Sequence, residues 1–183
     1  MIETERLVLR QPLASDLAWQ LAELNTPAVM RHLGGVRDAV AVANGLERDM
    51  AALSEGGLGF WTVALRTNGQ PVGRCGLAPV WEELAPLPLR SGIQAGWSFA
   101  EAHWGQGFAS EAAQAVIGHG FAVRGLAEIW AQTSASNQGS TRMMARLGFN
   151  RRADLDYADP DYPAADNPTT VYHLERTDWM QSR

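Results

Sequence analysis

The stretch Gly96-Trp97-Ser98-Phe99-Ala100-Glu101-Ala102-His103-Trp104-Gly105-Gln106-Gly107-Phe108-Ala109-Ser110-Glu111-Ala112 decides how this chain is read. It runs from an apolar strand into a glycine-rich turn, and the turn opens into a helix. Glycines leave the backbone N–H groups of such a turn unblocked. The first turn of the helix adds further unpaired donors and the positive end of its dipole. Together they form a socket for a diphosphate. A Walker loop needs Gly-x-x-x-x-Gly-Lys-Ser/Thr, which is missing here. A dinucleotide fingerprint needs a third glycine where Ser110 stands. Taken alone, the turn reads equally well as a helix start with flexible glycines and no ligand.

A second segment lies downstream, Asn137-Gln138-Gly139-Ser140-Thr141-Arg142-Met143-Met144-Ala145-Arg146-Leu147-Gly148-Phe149. An amide and a hydroxyl stand one turn apart at the start of a helix that closes in Leu-Gly-Phe. The pair of motifs resembles the GNAT superfamily of acetyl-CoA-dependent N-acetyltransferases, most nearly its RimJ/RimL-like branch. The resemblance extends to Thr4–Arg10, Val29–Gly35, Gly59–Trp61 and Gly73–Leu77, in the right order over most of the chain.

Composition fits one domain over residues 1–183. The formal net charge is −5 and hydrophobic residues make up 46% of the chain. This excludes a broad basic nucleic-acid surface and a disordered chain. No apolar run reaches the roughly 20 residues that span a membrane, and residues 1–5 lack a secretion signal. A lone cysteine, Cys75, lies in a strand pattern and reads as packing; it suits a cytoplasmic location. The four histidines show no metal-ligand spacing, so no metal is expected.

Periodicity predicts a strand over residues 5–10. A helix starts at Ser15-Asp16, with Ser15-Asp16 as its N-cap, and is broken at Pro27 by a short turn. Another helix is expected over about 37–54, ended by Gly56-Gly57. Strands are expected over 60–66 and 71–77, joined by a hairpin turn at Thr67-Asn68-Gly69. A long loop over 78–90 precedes a strand over 93–99. Downstream come a helix over 110–123, a strand over 128–133, the motif helix over 137–146, a strand over 152–157, a loop over 158–168 and a final strand over 170–175. This is an α/β (α+β) pattern with one strand–helix–strand unit in its middle. The resemblance implies a single-domain GNAT fold: a mixed, mostly antiparallel sheet with a central splayed strand pair and flanking helices.

The resemblance also implies roles. Gly105, Gln106, Gly107, Phe108, Ala109 and Ser110 would wrap the pyrophosphate of acetyl-CoA through their backbone. Trp104 stands where the wider family often has Arg or Gln. Trp97, Ser98 and Phe99 would offer a strand edge to the pantetheine arm, and one of their N–H groups would polarise the thioester. Asn137 would touch the coenzyme, or simply cap its helix. The family's tyrosine proton donor falls at Met144, which leaves Ser140 as the catalytic hydrogen-bond donor to the thiolate, or as a cap. Arg142 and Arg146, with Arg124 and Arg151 behind them, would face the phosphates or only solvent.

The family's glutamate falls at Gln94, so neither the residues nor the resemblance assign a base; Glu111 and His103 are the nearby titratable groups. Two loops, Val80-Trp81-Glu82-Glu83 and Asp154 to Tyr162, mix carboxylates with aromatic rings and suit a cationic amine. The acceptor implied is an amine, on a small molecule or a protein N-terminus, met by a monomer or homodimer. The alternative is a non-catalytic acyl-CoA-binding module.

Overall fold

The computed structural model describes residues 1–160 and 162–181. It is a mixed α/β structure with an open, mostly antiparallel sheet and flanking helices. Its contacts divide into two compact units, residues 1–78 with 96–116, and residues 79–95 with the described residues from 117 onward.

In the first unit the strand order is β1 (Ile2–Glu3), β2 (Leu7–Arg10), β3 (Phe60–Leu65), β4 (Pro71–Pro79) and the end of β5 (Ile93–Phe99). Leu7 and Leu9 alternate inward on β2 and are fully buried. β2 pairs antiparallel with β3, and β3 with β4. The hairpin between β3 and β4 closes through the Leu65 N–H on the Gln70 carbonyl. Phe99 lies flat against Gly73, where a β-carbon would meet its ring at 2.5 Å.

The first helix, α1 (Asp16–Trp19), continues as a wider π-turn over Gln20–Leu24. The expected Ser15 cap is not made, because Ser15 contributes no side-chain bond. Buried Asp16 ties the helix start down instead. It accepts from the Leu13 N–H, from both Arg10 guanidinium nitrogens and from the Thr62 hydroxyl. Pro27 does end this segment, yet the expected plain turn is a helical one. Pro27 sits at the first position of α2 (Pro27–Met30), with Thr26 capping the Val29 N–H. α3 (Ala39–Ser54) is capped by Asp38, and Leu46 and Leu53 form its buried stripe.

The second unit holds the beginning of β5, then β6 (Glu128–Ser134), β8 (Thr169–Glu175) and β7 (Asn150–Arg151) in that order. β6 and β8 pair antiparallel along their full length. β5 meets β6 in parallel at Gln94↔Trp130. α4 (Phe108–Ala122) runs through both units. Ala113, Val116, Ile117 and Phe121 are buried on one face of it, as their spacing requires. α5 (Gln138–Arg146) turns off at Gly148, where the Phe149 N–H reaches the Met144 carbonyl.

The strand expected over 152–157 does not form. A two-residue β7, a 3₁₀ turn over Ala153–Leu155 and one bridge between Tyr157 and Thr169 take its place. Arginine–aspartate pairs fold the segment on itself, Arg151 to Asp156 and Arg152 to Asp154. The terminal helix α6 (Arg176–Gln181) is an addition to the elements that the sequence predicts. Among the described residues, no helix is long and apolar enough to cross a membrane.

Candidate active site

In the first unit, β5 passes through a 3₁₀ turn over Glu101–His103 into the glycine turn. Gly105 and Gly107 sit at φ +73° and +82°, in the left-handed region that side chains resist. Residues 104–107 are exposed, while Phe108 is buried. The Trp104 N–H is spent on the Glu101 carbonyl, and the Glu111 N–H on the Gly107 carbonyl. Between them, among the described residues, the N–H groups of Gly105, Gln106, Gly107, Phe108, Ala109 and Ser110 donate to no protein acceptor. That run of open donors stands at the positive end of a 15-residue helix, an arrangement suited to an anion.

Residues far upstream brace the socket. The Arg6 guanidinium donates to the Gln106 carbonyl at 2.9 Å and to Glu111 at 2.7 Å, and stacks 4.7 Å over the Phe108 ring. The Arg6 N–H and the Thr4 hydroxyl both donate to the other Glu111 oxygen. Burial raises the Glu111 pKa, but the bonds from Thr4 and Arg6 outweigh it, and the group is held below the ordinary carboxylate range. A β-carbon on Gly107 would lie 3.3 Å from the Arg6 guanidinium, so positive charge is pressed against the turn. In the sequence, Thr4 and Arg6 stand out only as part of a motif. Nothing in a linear sequence links them to residue 111.

In β5, where the resemblance implies an open edge, Trp97 and Ser98 are half-buried and Phe99 is buried. The Trp104 indole N–H donates to the Phe99 carbonyl at 2.7 Å. Trp104 therefore locks strand to turn, which an arginine or glutamine at that position would not do in the same way.

Asn137 and Ser140 lie in the second unit. The Asn137 carbonyl oxygen accepts from the Ser140 N–H at 3.1 Å and its amide nitrogen donates to the Thr133 hydroxyl at 3.0 Å. The cap is thus made, and Thr133 fixes the direction of the amide. Ser140 is half-buried beside it, and Met144 is fully buried on the packed face of α5. Arg142 and Arg146 are exposed, with Arg142 on Gln138 one turn back. Arg151 is committed to Asp156 and does not belong to that stripe.

The two carboxylate-bearing loops come together within this unit. Val80 and Ala85 from one, and Leu155 from the other, share a buried cluster with Leu89, Trp130 and Val171, and Tyr157 packs against it. Asp154 and Asp156 are neutralised by their neighbouring arginines, which weakens the acidic wall expected there. Asp161 lies outside the described residues. Above the cluster, Glu82, Gln94, Gln132 and Tyr157 are joined by hydrogen bonds of 2.7–3.2 Å. Gln132 carries no signal in the sequence.

Cys75 is fully buried in β4, and burial pushes its thiol far above the usual range. Among the described residues no group of three or more His, Cys, Asp or Glu side chains is placed to hold a metal ion.

Residues 6–150 match the family described as acetyltransferase (GNAT) domain. An uncharacterized N-acetyltransferase, YoaA, from Bacillus subtilis (strain 168) is 29% identical over 85% of this chain and 85% of its own length. The crystal structure of an acetyltransferase from Agrobacterium tumefaciens strain C58 superposes with a TM-score of 0.76 at 26% identity, covering 96% of this chain and 94% of that one. RimL, a ribosomal L7/L12 alpha-N-protein acetyltransferase in complex with coenzyme A, superposes with a TM-score of 0.72 at 17% identity, covering 94% and 95%.

Proposed function

This chain belongs to the acetyltransferase (GNAT) domain family, and we propose that it moves the acetyl group of acetyl-CoA onto a primary amine by direct attack within a ternary complex. It is an acyltransferase with acetyl-CoA as co-substrate, so the binding-module alternative is set aside. The observation that carries the site assignment is the run of open backbone donors from Gly105 to Ser110. Six donors and a helix dipole suit the pyrophosphate, and they need no basic side chain beyond Arg6 beside them.

Trp97, Ser98 and Phe99 would seat the pantetheine arm, and an N–H of this segment would polarise the thioester carbonyl. Trp104 would hold that segment in register with the turn. Asn137 would touch the coenzyme, and the Ser140 hydroxyl would donate a hydrogen bond to the departing thiolate. Direct transfer is supported by Cys75, whose buried, protonated thiol is unsuited to carry an acyl group. The whole of residues 1–183 would act as one N-acetyltransferase domain.

The RimJ/RimL-like branch is the reading supported by Trp104 before Gly105 and by the similarity to RimL. On that reading the acceptor is a protein N-terminus, with small amines as the competing class. Calorimetric titration with coenzyme A, followed by a thiol-release assay with an N-terminal peptide panel and a polyamine panel, tests it. Tight coenzyme binding with peptide turnover is the expected result. Binding with no turnover on any amine contradicts it.

A further inference from the structure

We propose that Arg74 selects the acceptor, by pairing its guanidinium with a carboxylate that the amine carries. This rests on the N-acetyltransferase reading above and names a substrate class for it. All the groups involved lie in the first unit.

A row of contacts carries Arg74 to β5. Arg74 lies on β4, opposite Thr62 of β3. Phe60 stands two residues from Thr62 and so shares its face of the sheet. The Arg74 guanidinium stacks 4.5 Å over the Phe60 ring. The same ring lies against Gly96 of β5, where a β-carbon would meet it at 2.8 Å. Alternation returns Ser98 to that face, while Phe99 turns to the other one, onto Gly73. One aromatic ring therefore separates the guanidinium from the strand proposed to hold the thioester.

Arg74 is held but not used up. Its Nη2 donates to Asp49 Oδ2 at 2.8 Å, and Asp49 Oδ1 accepts the Phe60 N–H at 3.2 Å. Asp49, on α3, is thereby fixed to β3 and grips the guanidinium at one point. Among the described residues, Arg74 Nε and Nη1 donate to no protein acceptor. Among the same residues no unpartnered side-chain nitrogen or oxygen is buried, so these donors reach solvent. The side chain as a whole is 25% exposed. Arg10, opposite Thr62 on the other side, is the contrast: both of its terminal nitrogens are spent on Asp16, and one also on the Gln11 carbonyl. A single bond from Nη2 leaves one two-donor edge of the Arg74 fork whole, which is the geometry that takes a carboxylate through two parallel bonds.

The charges acting on Arg74 favour an anion as well. Burial pulls its pKa down, Asp49 pushes it up, and the cations Arg37 and Arg48 pull it down again. The net shift is downward, and an arginine stays protonated through it. One carboxylate thus meets three cations. A carboxylate on the acceptor evens that balance, whereas the second ammonium group of a polyamine would be repelled.

The test uses the full chain, acetyl-CoA and five amines. L-alanine is set against L-alaninamide, and a hexapeptide beginning with Glu against one beginning with Gln, both amidated at the C-terminus; spermidine is the fifth. Arg74→Gln should lower kcat/KM, mainly through KM, and the fall should be about tenfold or more larger for the carboxylate member of a pair than for its neutral partner. Comparing falls cancels the different basicity of the two amines. A response in the alanine pair identifies a free amino acid as the carboxylate source, and one in the hexapeptide pair an acidic N-terminus. The acetyl-CoA Kd should stay within about twofold. Arg74→Gln leaves Asp49 without its cation, so Arg74→Gln with Asp49→Asn is measured beside it, and the same selective fall is expected there. Falls that agree within about twofold inside both pairs overturn the role of Arg74 and leave the acetyltransferase reading standing, as does a wild type that acetylates spermidine and neither carboxylate probe. Wild type that releases no thiol with any of the five amines overturns both.

Discussion

Arg6 and Glu111, 105 residues apart in sequence, are joined twice, through the Arg6 backbone N–H at 2.9 Å and its guanidinium at 2.7 Å. Thr4 adds a third bond to the same carboxylate. The N-terminal segment is thereby pinned to the first turn of α4, and the other end of the Arg6 guanidinium grips the glycine turn at Gln106. The socket owes its shape to this brace as much as to its glycines.

Glu111→Ala removes all three bonds. The pair is partly exposed, so the loss is discounted to about 1–2 kcal/mol, which lowers Tm by roughly 2–8 °C in a domain of this size. Differential scanning calorimetry checks the shift. Arg6→Ala should also weaken coenzyme A binding about tenfold, since the guanidinium is the cation beside the open donors. Unchanged affinity would reduce Arg6 to a purely structural part.

Asn137 separates two roles by substitution. Asn137→Ala should cost about 1 kcal/mol of stability through the lost cap. Asn137→Asp keeps the capping oxygen and loses the amide donor, so Tm should recover. If the amide contacts the coenzyme, its affinity stays impaired in the aspartate variant. Full recovery of both would leave capping as the only role. Ser140→Ala should slow kcat about tenfold with little change in coenzyme A affinity, and an unaltered rate would remove Ser140 from the chemistry.

Cys75→Ala should retain turnover while losing about 1 kcal/mol of stability from the small cavity. Native protein should resist iodoacetamide. Loss of turnover in a folded Cys75→Ala enzyme would revive a covalent relay.

Acid should unfold the first unit early. Asp16 and Glu111 are both held below the usual carboxylate range; for each, burial acts upward and the bonds to arginine and the backbone prevail. A depressed folded pKa means that the unfolded chain binds more protons, so stability rises with pH through this range. The contribution is complete above the ordinary carboxylate pKa of about 4 and is lost as pH falls through the lower folded values. Urea midpoints measured from pH 6 down to 2.5 should fall steeply below about pH 4, and less steeply in Asp16→Asn. Equal slopes in both proteins would remove Asp16 from the acid transition.

Elements whose signals are local were legible. β5 begins and ends where a strand is expected ahead of the glycine turn, and α4 buries the face that its apolar spacing marks. The segment 152–157 misled because its alternation of charge and apolar residues fits a strand, while adjacent arginine–aspartate pairs close it into turns. Ser15 has the right chemistry for a cap, but the neighbouring Asp16 could also reach Arg10 and Thr62, and the larger network won. At the site, the open turn was readable because it depends on glycines close together in sequence. The Arg6 brace and the Glu82–Gln94 pairing were not, because both are made by residues that only the fold brings together.

The proposal that the turn from Gly105 to Ser110 binds the coenzyme underlies every role assigned above. Gly107→Trp fills the turn and adds a side chain at φ +82°; Gly69→Trp imposes the same kind of backbone strain at φ +74° in the β3–β4 hairpin, facing open space. Titrating each folded variant with coenzyme A should show affinity lost by more than about 100-fold in Gly107→Trp and kept in Gly69→Trp. Wild-type affinity in Gly107→Trp would contradict the assignment of this turn.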